Sequence, residues 1–288
     1  MSKIMKALEK AEMAERRVNG KDGSLERSEE NSFWFEGSPQ SAPEYRPPSR
    51  EHHEEPRVSV AVRYEKTSVE QACFHRMEER RLLGAHAPQE LRDAFNVVRT
   101  QLLQQTRPKK LNTIMVTSPG RSEGKTTVAT NLAITISRDA SQTALLVDAN
   151  LRWPGISCGL GMGNRPGLTD HLLRGIPLTQ TLVNPGMEKL VVLPAGGSQD
   201  DSADILGSPA MERLVEEMKT RYPDRYVIFD CPHLLDIPDA LVFAEYVDGI
   251  VLVVDEGKTD RNDLNTALKM LEGRNLLGVV LNNTSGTS

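Results

Sequence analysis

Apolar residues are spread unevenly along this chain, and their spacing divides it. From about residue 88 onward, short continuous apolar runs alternate with segments whose apolar residues recur every three or four positions. The runs predict strands at Thr113–Thr117, Ala144–Val147, Leu190–Leu193, Tyr226–Phe229, Ile250–Val254 and Leu277–Leu281. The helical spacing predicts helices at Gln89–Gln105, with Leu91, Phe95, Val98 and Leu102 on one face, and at Lys125–Arg138, Leu168–Arg174, Ala210–Tyr222, Asp239–Tyr246 and Arg261–Leu271. Strands that are apolar throughout are covered on both faces. The alternation therefore predicts an α/β fold: a doubly wound, mostly parallel sheet with helices on both faces and its ligand at the carboxyl ends of the strands.

Upstream the pattern fades. Residues 1–18 read as a short amphipathic helix with Ile4, Leu8 and Ala11 on one face, either solvated or a docking helix for a partner or membrane surface. Residues 19–57 are rich in Ser, Pro, Glu, Arg and Gly, with too little apolar material to offset the entropy of ordering, and read as a largely disordered linker. His52-His53 reads as a solvated pair. Residues 58–87 read as a loosely defined connection, with a short strand at Val58–Val62 and a charged helix at Glu70–Leu83. The folded domain is expected over 88–288.

Composition narrows the function classes. The net charge of -5 argues against nucleic acid as the main partner. Cys73, Cys158 and Cys231 are far apart and form no paired motif, which argues against a zinc site or disulfide framework and for a cytoplasmic chain. No apolar run approaches the roughly 20 residues of a membrane helix, and the N-terminus has no apolar signal core. Membrane association must then come through a partner or a surface helix.

Chemistry concentrates at three strand ends. After Thr113–Thr117 comes Ser118-Pro119-Gly120-Arg121-Ser122-Glu123-Gly124-Lys125-Thr126-Thr127, leading into a helix. A strand–loop–helix context makes a Gly-Lys-Thr match meaningful as a phosphate loop. Backbone N–H groups and the helix N-terminus would bind phosphate oxygens. Gly124 would let the backbone come close, Lys125 would reach the β- and γ-phosphates, and the Thr126 hydroxyl would sit on Mg²⁺. In the pattern GxxxxGK[ST] the first glycine falls on Pro119, with Gly120 one step late. Asp148 closes the strand Leu145-Leu146-Val147, and Asp230 follows Val227-Ile228-Phe229. Lysine, threonine and two carboxylates in one crevice suit phosphoryl transfer, with positive charge at the phosphates and a carboxylate near the attacking group.

These stretches resemble the bacterial tyrosine kinases of polysaccharide loci, tyrosine autokinases of the P-loop NTPase class related to the MinD/ParA ATPases. The likeness rests on Val116–Thr127, on Leu146–Pro154 (similar to the family's second Walker A-type motif, DxDLRxP), on Ile228–His233 (similar to its Walker B motif, D-x-P-P) and on the closing strand Leu277–Asn283. The resemblance implies ATP and Mg²⁺. Gly120, Arg121, Ser122, Glu123, Gly124, Lys125, Thr126 and Thr127 would hold ATP, and Thr126, Asp148 and Asp230 would serve the metal. Asp148 would accept the tyrosine hydroxyl proton or orient that nucleophile, with Lys125 and Asp230 as its catalytic partners. Arg152 would contact phosphate or a neighbouring subunit, and Asn282 or Asn283 would read the adenine. The resemblance further implies a membrane-embedded chain-length-determinant or co-polymerase as activator, protein tyrosine substrates, a homo-oligomer, and a place at the inner face of the membrane through that partner.

The chain departs from the family pattern. Asn150 replaces the second acid of DxD, and His233 replaces the second proline of D-x-P-P. Asp93, Asn96 and Arg99 stand where the family's Glu-x-x-Arg-x-x-Arg ring pattern falls. The last tyrosine is Tyr246, so the acceptor is expected on a partner or at Tyr45 or Tyr64. The alternative is a non-kinase ATPase switch that docks a membrane co-polymerase. A positioning ATPase is disfavoured, because Gly120 occupies the place of the signature lysine of those loops.

Overall fold

The computed structural model describes residues 67–222 and 224–284. The helix expected over 1–18, the linker 19–57, the strand at 58–62, Tyr45 and Tyr64 lie outside the described residues.

The elements run β1 (Ser68–Val69), α1 (Phe74–Glu79), α2 (Gln89–Thr106), β2 (Thr113–Thr117), α3 (Lys125–Ser137), β3 (Thr143–Asp148), α4 (Ile156–Leu160), α5 (Leu168–Arg174), α6 (Leu178–Thr181), β4 (Val183–Asn184), β5 (Leu190–Leu193), α7 (Ser202–Leu206), α8 (Pro209–Arg221), β6 (Arg225–Asp230), α9 (Asp239–Phe243), β7 (Gly249–Asp255), α10 (Arg261–Met270) and β8 (Leu276–Asn282). The eight described strands form one sheet in the order β1-β4-β5-β3-β6-β2-β7-β8. Every pairing is parallel except β4 with β5. The strands and helices expected from residue 88 onward are all present among the described residues.

Alternate residues of each central strand feed two cores. Ile114, Val116, Leu146, Ile228, Val251 and Val253 face α2 and α3, where Phe95, Leu102, Val128, Leu132 and Ile136 meet them. Met115, Leu145, Val147, Val227, Phe229 and Leu252 face the other side and pack with Met211, Leu214, Val215 and Met218 of α8. Each central strand is thus buried on both faces, which is why it reads as an unbroken apolar run.

The segment before residue 88 differs most from expectation. Its described part is built into the domain: Ala72, Met77, Leu82, Leu83 and Ala87 join the α2–α3 core. The helix expected over Glu70–Leu83 is confined to Phe74–Glu79. Extended pairing carries on through Glu70 and Ala72, whose N–H groups donate to the Asn184 and Pro185 carbonyls at 2.9 and 3.1 Å. Arg81, with φ of 54°, then turns the chain so that Leu82 and Leu83 point inward. Asn131 on α3 fastens this turn: its Oδ1 accepts from the Leu83 N–H at 2.8 Å and its Nδ2 donates to the Arg81 carbonyl at 2.9 Å. The helix expected to reach Tyr246 stops at Phe243, and the Tyr246 hydroxyl donates to the Gly207 carbonyl at 3.1 Å. The short α4, α6 and α7 and the two-residue β1 and β4 were not anticipated, because no hydrophobic period is readable over so few residues.

Asn131 is fully buried and satisfies two main-chain groups at once. Asn131→Ala leaves both unpaired and is expected to lower stability by about 2–4 kcal/mol in chemical denaturation, with the unfolding slope unchanged.

Candidate active site

The loop between β2 and α3 carries the first group of expected residues. Gly124 caps α3 at φ 89°, and a Cβ there would lie 2.0 Å from the Asn282 Nδ2. The glycine is therefore required by its backbone conformation and by the close approach of β8, in addition to any approach of phosphate. Asn282, expected with Asn283 as a reader of adenine, donates its Nδ2 to the Glu123 carbonyl at 3.0 Å. Asn283 donates to Asp255 Oδ1 at 3.0 Å and accepts from Arg81 at 3.3 Å.

The loop is held from outside by groups the sequence reading missed. The buried Glu123 carboxylate accepts from the Gly120 N–H at 2.9 Å and from the Thr259 hydroxyl at 2.6 Å. Glu123 thus faces the protein with its side chain, and the Gly120 amide is engaged inside the loop. Lys258 donates to the Arg121 and Ser122 carbonyls at 3.1 and 2.9 Å. The N–H groups of Leu234 and Leu235 donate to the Ser118 and Pro119 carbonyls at 2.9 and 3.1 Å. Lys258 and Thr259 lie in the β7–α10 connection, more than a hundred residues from the loop in sequence. No local spacing could have revealed them.

The two acids are neighbours by register. Asp148 at the end of β3 stands directly opposite Asp230 at the end of β6, and Asp230 in turn pairs with Val116 of β2. Both side chains are fully buried. Asp148 accepts from the Gly155 and Ile156 N–H groups, both at 3.1 Å, and from that of Asn150 at 3.3 Å. Burial first, and then the Asp230 charge, push the Asp148 carboxyl up to about 8. Neither Asp230 oxygen has a hydrogen-bond partner of full geometry. Burial pushes Asp230 up to about 6 against the pull of the Lys125 ammonium and, secondly, the Thr126 hydroxyl. Lys125, Thr126, Asp148 and Asp230 are thereby brought together as expected.

The segment after Asp148 folds back over the site. A Cβ on Gly155 would come within 3.1 Å of the Thr126 methyl. Arg152 is turned to the buried Asp239, with Nε to Oδ1 at 3.0 Å, and Asp239 also accepts from the Ser202 hydroxyl. Trp153 stacks under the Arg121 guanidinium, 4.2 Å from its ring centroid, and lies 5.8 Å from the His233 ring. Arg121 and Ser122 are exposed, and Thr127 is half-buried in the first turn of α3. The Asn150 Oδ1 and His233 Nε2 are buried without partners.

A parallel sheet whose central strand runs through a glycine-ended loop into a helix, with two carboxylates on the adjoining strand ends, defines a P-loop nucleotide-phosphate-binding domain. The chain is 30% identical over 207 residues to tyrosine-protein kinase YwqD of Bacillus subtilis strain 168, covering 71% of this chain and 86% of YwqD. It is therefore a member of the bacterial tyrosine-kinase family. It is also 33% identical over 176 residues to the succinoglycan biosynthesis transport protein ExoP of Rhizobium meliloti strain 1021, covering 59% of this chain and 22% of ExoP. The VpsO kinase domain superimposes with a TM-score of 0.60 at 28% identity, over 66% of this chain and 94% of that domain. No family model matches the chain.

Asp148 gives a pH test free of nucleotide and metal. Its folded pKa of about 8 lies above the unfolded 3.8, so the folded state holds the extra proton between those values and stability is lost as pH rises through them. His233, whose pKa burial lowers, acts with the opposite sign near its own range. Asp148→Asn removes the first contribution and the charge it shares with Asp230, and leaves His233 in place. The stability difference between variant and wild type, followed by denaturation from pH 4 to 8, is expected to move steadily in the variant's favour.

Proposed function

We propose that this chain is an ATP-dependent protein tyrosine kinase that transfers the γ-phosphoryl group to tyrosine and regulates the synthesis or export of an exopolysaccharide. The observation that carries the reading is the carboxylate pair at the mouth of the phosphate loop, one member hydrogen-bonded and the other unpartnered. A fully buried carboxylate with two unpaired oxygens, beside a hydroxyl and an ammonium, fits a hard divalent cation. Thr126 and Asp230 would hold Mg²⁺. When bound, the ion would offset charge on the phosphate oxygens.

The chain's own residues do the rest. The loop amides and Lys125 bind and orient the β- and γ-phosphates. Asp148 lies beside Asp230 and is kept protonated at rest by burial and by that neighbour's charge. With a cation held by Asp230, the second of these causes would be offset and Asp148 would favour its ionised form. It is then matched to take the proton of an attacking tyrosine hydroxyl. Asn150 leaves this step to one carboxylate. Among the described tyrosines, the Tyr226 hydroxyl shares a hydrogen bond with Thr106 at 2.8 Å, the Tyr246 hydroxyl binds the Gly207 carbonyl, and Tyr222 is exposed with the Arg225 guanidinium 4.1 Å from its ring centroid. The proposed acceptor lies on a partner protein or at Tyr45.

Among the described residues no helix is long and apolar enough to cross a membrane. The match to a segment of a polysaccharide transport protein supports a membrane co-polymerase as the activating partner, with the chain at the cytoplasmic face.

The test is phosphotyrosine mass spectrometry on the full chain, alone and with proteins of its locus, after incubation with Mg-ATP. Phosphotyrosine is expected in the wild type and a drop of about 100-fold or more in Lys125→Met. Partner-stimulated ATP hydrolysis with no phosphotyrosine on any component would overturn the kinase reading in favour of the ATPase switch.

A further inference from the structure

His233 is part of no step described so far, yet its placement is unusual. Only 1% of the residue is exposed, and its Nε2 has no partner. A buried polar atom left unpaired costs about 1–3 kcal/mol, so a fold tends to retain one only where something else completes it. The other buried unpaired side-chain atoms at these strand ends are the two Asp230 oxygens and the Asn150 Oδ1. All four belong to the carboxyl ends of β3 and β6 or to the loops that follow them.

The ring is held in place from several sides. Trp153 lies 5.8 Å from it with a 35° tilt, and the Arg121 guanidinium covers Trp153 at 4.2 Å. The backbone on either side is fastened to β2 and the phosphate loop. The Pro232 carbonyl accepts from the Thr117 hydroxyl at 2.6 Å, and the Leu234 N–H donates to the Ser118 carbonyl at 2.9 Å. The charges that act on the imidazole are Lys125 and Arg121 on the positive side and Asp236 and Asp239 on the negative side. Burial and the two cations win, keeping the ring neutral. A neutral imidazole still has one N–H to donate. A potential dominated by Lys125 and Arg121 attracts an anionic oxygen.

We propose that His233 contacts the substrate of this site: its Nε2–H donates to an oxygen of the γ-phosphoryl group of ATP, with Trp153 and Arg121 seating the ring. This rests on the nucleotide reading above and adds to it a residue that distinguishes the triphosphate from the diphosphate. Trp153 and Arg121 act through His233 and are positioning residues. The contact forms only when a γ-phosphoryl group is present, so it discriminates ATP from ADP.

The experiment compares Mg-ADP with the Mg complex of the β,γ-imido analogue of ATP by calorimetry on the full chain. His233→Leu is expected to weaken the analogue about tenfold or more and ADP less than about threefold. His233→Gln, whose amide nitrogen reaches the Nε2 position, is expected to keep most of the preference. His233→Asn, which mimics only Nδ1, is expected to lose it. If the leucine variant does not fold, the Gln and Asn pair decides alone. Equal weakening of both nucleotides, no weakening of either, or equal behaviour of Gln and Asn would overturn the inference. A wild type that binds both nucleotides but forms no phosphotyrosine sinks the kinase reading and leaves the His233 comparison intact. A wild type that binds neither sinks both.

Discussion

Two buried carboxylates held side by side by strand register are the constraint around which this domain is organised. Asp148 and Asp230 face one another across β3 and β6 because those strands are hydrogen-bonded in parallel, residue against residue. Two like charges cannot both be ionised in such a place without compensation. The structure resolves this unequally. Asp148 receives three main-chain N–H groups and still keeps its proton to about pH 8. Asp230 receives no complete hydrogen bond and leans on the Lys125 charge. That difference gives two identical side chains two different environments, as the proposed roles of proton acceptor and cation ligand require. It also leaves both Asp230 oxygens open to positive charge from outside the chain.

The same logic governs the phosphate loop. A loop that must present N–H groups to an anion cannot have its carbonyls facing the same way, so those carbonyls need partners elsewhere. Lys258 takes two of them, Asn282 takes a third, and Leu234 and Leu235 take two more. Glu123, at first sight an odd residue for an anion site, is pulled to the rear by Thr259 and the Gly120 amide. The loop is shaped before any nucleotide arrives, so less ordering is charged against binding. The residues that shape it come from the β7–α10 connection, the end of β8 and the segment after β6.

What could be read in the chain and what could not follows from the range of each signal. Thr113–Thr117, Leu168–Arg174 and Leu190–Leu193 were placed to the residue because their periodicity is local and bounded by turn residues. The Lys125, Asp148 and Asp230 constellation was legible because the two acids directly follow apolar runs, Lys125 closes the loop after a third, and parallel topology sends all such ends to one edge. Arg152 shows the limit. Its neighbourhood to Asp148 in sequence suggested phosphate, while its partner is Asp239, 87 positions away. Glu123, Lys258 and Asn282 show it again, because their contacts span the sheet. Met77, Leu82 and Leu83 were masked by the charged residues around them, and only tertiary burial reveals that they belong to the core.

That N-terminal stretch has a bearing on the site. Its turn at Arg81 is fastened to α3 through Asn131, and the Arg81 side chain reaches Asn283. Asn283 is tied to Asp255 at the end of β7, and the adjoining Asn282 is tied to the phosphate loop through the Glu123 carbonyl. A continuous path of hydrogen bonds and main chain therefore runs from residue 81 to the loop that begins α3. Such a path is not coupling in itself, since coupling requires an element with two arrangements that both ends bias. It does fix where such an element would have to be. Asn282 fills the space over Gly124 at a distance no Cβ could tolerate. A shift of β8's last residue would have to move the loop or break the bond to Glu123. The end of β8 is therefore the point at which a force on residues 67–87 would reach the phosphates.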